Sequence, residues 1–128
     1  MADIVNILQE QPSFYAMTGA SREDIKTAEQ SLGLHFAADY RKYVAAFGAV
    51  SFSNHELTGV CKSKRLSVVD VTIKERSNNT VPDDWYVLEQ TGIDDVVIWQ
   101  ATNGEVHQTS PRAPHKKICN SLSDYILK

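Results

Sequence analysis

Residues 21–48 read SREDIKTAEQSLGLHFAADYRKYVAAFG, and the fold follows from how this stretch is parsed. Ser21 followed by Asp24 has the spacing of a capping box, with a hydroxyl placed to accept from the N3 amide. Ile25, Ala28, Glu29 and Leu32 then recur at i, i+3, i+4 and i+7, one face of a helix. Gly33 stands where a left-handed residue ends such a helix. A second helix starts near Ala37, runs through Tyr40, Tyr43, Val44 and Phe47, and stops at Gly48. Leu34-His35-Phe36 is short enough to turn the two into an antiparallel αα-hairpin. Such a hairpin has apolar stripes that need a sheet to cover them.

Working outward, residues 2–11 put Ile4, Val5 and Leu8 on one face of a short helix that Pro12 terminates. Beyond Gly48, residues 49–52 and 55–57 are strand-like around a Ser53-Asn54 turn. Residues 67–76 are balanced: their β-branched side chains favour a strand. Against that, Ser67 with Asp70 reads as a helix start, with Val68, Val69, Thr72 and Ile73 on one face. Residues 85–90 and 96–100 are apolar strands separated by Gly92, and Asn103-Gly104 marks a tight hairpin into residues 105–108. A Pro-rich loop is expected over 110–114, then a helix capped near Ser121 with Leu122, Tyr125 and Ile126 inward. The order is that of an α+β fold: one domain over residues 1–128, an antiparallel β-sheet flanked by helices.

The chain has 128 residues, a net charge of −3 and a pI near 5.7. That balance argues against nucleic-acid binding, which rests on a basic face. Cys61 and Cys119 lie far apart with no metal-ligand spacing, so both thiols are expected free, without disulfide or zinc. The N-terminal stretch lacks the charged and apolar regions of a signal peptide, and no apolar run is long enough to span a bilayer. The cytoplasm is the simplest compartment.

Chemistry is sparse. His35, His55, His107 and His115 stand in no HExxH, HxH or Cys/His arrangement, and His107 alternates with Val106 in a way that suggests exposure. No GxSxG, SxxK or Gly-rich phosphate loop occurs. Cys61 precedes Lys62, Lys64 and Arg65, cations that favour a thiolate, yet no catalytic pattern surrounds it. Asp83-Asp84 and Asp94-Asp95 are sequence neighbours whose side chains diverge on a strand, a poor acid–base pair. The expectation is therefore no enzyme, no cofactor and no metal. Lys62, Lys64 and Arg65, and Arg112, Lys116 and Lys117, read as solvated loop charges. Trp99 reads as core, while Trp85 is balanced between core and interface anchor.

Ser21 to Ile25, Glu29, Leu32-Gly33, Phe36, Asp39-Tyr40-Arg41, Tyr43 and Phe47-Gly48 together resemble the N-terminal signature of the SUKH superfamily, the Smi/Knr domain. Ala37 or Ala38 stands where that signature has proline. Gly59, residues 68–76, Pro82, the strand Trp85-Tyr86-Val87, Gly104-Glu105-Val106 and the last helix follow in the expected order. The resemblance implies a three- to six-stranded antiparallel sheet, a helix over residues 68–76 and a structural role for Glu29. It also implies a bacterial immunity protein that binds and neutralises a cognate toxin in the cytoplasm, the alternative being a general intracellular adaptor. A nuclease-type toxin presents a basic cleft, which an acidic sheet face would fill. On that reading the contact residues are Asp83, Asp84, Trp85, Glu89, Asp94, Asp95 and Glu105.

Overall fold

The structure is a computed structural model that describes residues 3–128. The expected start of the first helix at Ala2 lies outside them; from Asp3 on, α1 spans Ile4–Gln9 and buries Ile4, Ile7 and Leu8. Strand β1 (Tyr15–Ala16) precedes α2 (Arg22–Leu32). Ser21 Oγ accepts from the Asp24 amide at 3.1 Å. Gly33 closes α2 at φ 68°, where a Cβ would add strain.

Helix α3 spans Ala38–Phe47 and has no side-chain cap of its own. The Ala37 amide donates instead to the Tyr86 hydroxyl at 3.0 Å, which a strand far along the chain supplies. Glu29 fixes the linker by accepting from the Phe36 amide at 2.7 Å, with Arg41 Nε 3.3 Å away. Asp39 holds the other side of α3: Oδ1 accepts from Gln100 Nε2 at 3.1 Å and Oδ2 from the Leu122 amide at 2.9 Å. The Asp-Tyr-Arg run thus joins α3 to three elements, with Tyr40 fully buried between its charged neighbours.

Strands β2 (Val50–Phe52) and β3 (His55–Glu56) form a small antiparallel sheet with β1, in the order β1-β2-β3. Residues 68–76 are helix α4 (Val68–Arg76), as the resemblance implied. Its buried face is Val68, Val71 and Thr72, not the face through Val69 and Ile73, and Ile73 is exposed. The reason is its seat: Thr72 Oγ1 accepts from the Val87 amide at 3.0 Å, so α4 covers one edge of the main sheet. Burial there, not local propensity, decides helix over strand.

That sheet is an antiparallel meander of β4 (Trp85–Gln90), β5 (Val97–Ala101), β6 (Val106–Ser110) and β7 (Ala113–Cys119), in that order, followed by α5 (Leu122–Ile126). The expected loop over 110–114 is instead a two-residue link, Pro111-Arg112, and Pro114 lies within β7. An edge strand tolerates proline because one side of its ladder is vacant.

The sheet is apolar on both faces. Tyr86, Leu88, Ile98 and Val106 meet the helices in the main core. Phe36, Tyr40, Tyr43 and Tyr86 form its aromatic centre, with successive ring centroids 4.8–5.4 Å apart. Thr58 Oγ1 donates to Val87 O, so the Tyr40 hydroxyl donates to Thr58 at 2.9 Å. Burial pushes the hydroxyls of Tyr40, Tyr43 and Tyr86 well above the usual tyrosine range. Trp85, Val87, Val97, Trp99 and Ala101 form a second core on the opposite face with Val71 and Val81.

Candidate partner-binding surface

Antiparallel pairing decides where the expected contact residues lie. Trp85 stands opposite Ala101 and Gln90 opposite Val97. Asp83 and Asp84 precede the start of β4, and Glu105 follows the turn after β5, so these three share one end of the sheet. Asp94 and Asp95 sit in the turn at the other end. The six residues of β4 separate the two groups by about 17–20 Å. The acidic residues form two tips, not one face.

All four aspartates are exposed, and among the described residues none has a cation within ion-pair distance. Asp94 and Asp95 adopt φ 54° and 57° in succession, a conformation aspartate tolerates better than most side chains. Beside them Ile93 is 67% exposed, so this tip presents an apolar side chain next to two carboxylates. Glu105 is half-buried and held by Lys117 Nζ at 3.1 Å, with His107 Nε2 3.5 Å away. The Lys117 hydrogen bond holds its carboxyl below the usual range.

Two expected contacts are corrected. Trp85 is buried, stacked on His107 with centroids 4.1 Å apart and planes 17° from parallel; His115 lies 5.7 Å away. The same stack leaves His107 only partly exposed, and burial lowers its pKa. Glu89 is buried because of a β-bulge: Val87 pairs with Trp99 but Glu89 with Ile98, leaving Leu88 as the extra residue. Alternation places Glu89 with Trp85 and Val87; one inserted residue turns it to the helix side.

There Glu89 accepts from the Tyr125 hydroxyl, from His55 Nδ1 at 3.0 and 3.2 Å, and from the Glu56 amide at 3.2 Å. One carboxylate thus ties β3 and α5 to β4. Burial first, and then the neighbouring Glu89 charge, push the Tyr125 hydroxyl up. No signal in the sequence marks this cluster, since its members lie 33–36 residues from Glu89.

A cleft of about 640 Å³ opens between α2, residues 17–20 and the segment leading into α4. Gly59 and Thr18, which line it, meet Gly48 in a backbone junction: a Cβ on Gly59 would lie 1.8 Å from Gly48 O, and one on Gly48 would lie 2.2 Å from Thr18 O. Cys61 lines the cleft, and burial raises its thiol despite the basic residues that follow. Among the described residues there is no group of three His, Cys, Asp or Glu placed to hold a metal ion, and no helix is long and apolar enough to cross a membrane.

The hairpin linker held by Glu29, the Asp39 ties and the glycine junction occupy the positions of the SUKH signature. A SUKH_5 family model, described as SMI1-KNR4 cell-wall, matches residues 1–128. The chain belongs to this SUKH family. Among curated proteins, none matches it. SUKH domains are generally immunity or interaction proteins, and the signature residues of this SUKH domain are spent on packing. The exposed rim of the sheet, where the aspartates stand, takes no part in these ties.

Proposed function

We propose that this SUKH domain is an immunity protein that binds a cognate toxin domain, of nuclease type, in the cytoplasm and neutralises it. Membership of the family over the whole chain carries the reading. The exposed aspartates supply its physical basis: they are solvated, have no ion-pair partner among the described residues, and project from short turns at the ends of the sheet. A nuclease needs a basic cleft to hold phosphates, and carboxylates on a fixed tip compete for that cleft. The tip of Ile93, Asp94 and Asp95 fits better than Asp83 and Asp84, because it adds an exposed apolar anchor beside the charge.

The test is co-expression with the toxin encoded beside it, wild type against Asp94→Asn/Asp95→Asn. Asparagine keeps the left-handed backbone accessible, so the change removes charge without adding strain. Association should slow about tenfold at low salt and the difference should shrink as salt rises. Full protection and unchanged association by the double variant would remove this tip from the interface. Failure of the wild-type chain, folded and soluble, to bind or protect would remove the immunity reading itself.

A further inference from the structure

We propose that β7, the open edge of the main sheet, is a docking surface for an extended acidic segment of a protein partner. The two edges of this sheet differ. That of β4 is covered by α4 through the Thr72–Val87 hydrogen bond, whereas β7 has β6 as its one strand neighbour among the described residues. Every residue from Ala113 to Lys117 is exposed. Arg112, His115, Lys116 and Lys117 follow one another along this edge, and within this run only Lys117 has an acidic partner among the described residues, Glu105. In a chain of net charge −3, this is a local reversal of sign.

Register shows what shape the occupant has. Lys117 stands opposite His107 and Lys116 opposite Gln108, so the cations project to both faces of the sheet. From Arg112 to Lys117 they span about 16 Å. An extended chain lying along the edge sends alternate side chains to both faces and reaches all of them, whereas a helix offers one carboxylate row to one side. Pro114 and the two register shifts in β7 interrupt the ladder an uncharged strand would need, so the side-chain charges, not the main chain, set the choice. The same cations repel a second β7 edge. This surface goes beyond the toxin reading, which concerns the oppositely charged tips.

The probe is a labelled peptide of alternating glutamate and threonine, titrated against the whole chain at low salt by anisotropy, with amide shifts mapped by NMR. Saturable binding is expected, with shifts confined to β6 and β7 and affinity falling steeply with salt. Arg112→Glu/Lys116→Glu should weaken it about ten- to thirtyfold, since two attractive cross-strand pairs become repulsive. Neither side chain has an ion-pair partner among the described residues, and Lys116→Gln, the milder change, should give a smaller loss in the same direction. A lysine–threonine peptide should not bind. Shifts absent from β7, or affinity untouched by the charge reversals, would overturn the proposal. So would an oligothymidylate that binds the edge more tightly than the peptide, which would make it a phosphate site. Toxin and acidic tips play no part in the assay, so its failure leaves the immunity reading where it stood.

Discussion

Replacing Glu89 by glutamine separates a structural carboxylate from a surface contact. Three donors converge on this side chain: the Tyr125 hydroxyl, His55 Nδ1 and the Glu56 amide. An amide supplies one acceptor oxygen and turns its own N–H groups on donors that already point inward. With the oxygen kept toward Tyr125 and His55, the Glu56 amide loses its acceptor and the two remaining bonds lose the benefit of charge. The partly buried Glu56 amide left without its acceptor costs about 1 kcal/mol, and each of the two charge-assisted bonds exceeds a neutral one by about 1 kcal/mol, part of which is offset by no longer burying a charge; a net loss of about 2–3 kcal/mol follows. A chain of 128 residues has an unfolding entropy of about 0.27 kcal/mol/K, so Tm should fall by about 7–11 °C. Calorimetry and urea unfolding of Glu89→Gln, Tyr125→Phe and the double variant test this, with a coupling of about 1 kcal/mol expected for the pair. A Glu89→Gln protein within about 0.5 kcal/mol of wild type, the range of ordinary surface substitutions, would refute the network and return Glu89 to the solvated face.

Two glycine substitutions should differ sharply. Gly59→Ala puts a methyl group 1.8 Å from Gly48 O and should abolish folding or cost more than about 4 kcal/mol. Gly33→Ala meets no atom within 4 Å but sits at φ 68°, so it should cost only about 1–2 kcal/mol; similar losses in urea unfolding for the two would contradict the junction. His107 has a lowered pKa, chiefly from burial. The unfolded chain therefore takes up a proton first as pH falls below about 6.5, and stability is lost from there down through the folded value. Above that window this contribution is constant. His107→Gln should flatten that part of the stability–pH curve, and an unchanged slope would show that the stack on Trp85 does not desolvate the ring.

What could be read from the sequence was what local chemistry fixes. Ser21, Asp24 and Gly33 act within one turn of their own helix, so the hairpin and its boundaries are visible without knowing what lies above them. Residues 67–76 are balanced on pattern alone for the converse reason. Their β-branched composition and their cap disagree, and the tie is broken by Thr72 meeting the Val87 amide, a contact no window of residues contains. Pro114 is ambiguous in the same way: it breaks an interior strand, but whether a strand is an edge depends on topology.

The candidate site depended still more on pairing. Six acidic residues within a short stretch look like one patch, but a meander returns the chain on itself, so residues 83–84 and 94–95 bracket a strand and end up on opposite rims. Glu89 shows how little it takes: one bulged residue exchanges the faces of everything after it, turning a supposed contact into the buried tie between β4, β3 and α5. The surviving surface residues are those in turns, where neither parity nor register acts on them. On the proposed reading, this favours the tip at Ile93, Asp94 and Asp95 over the strand positions as the place where a partner would meet this domain. An interface mapped onto Trp85 and Glu89, with the turn uninvolved, would require the sheet to open along β4.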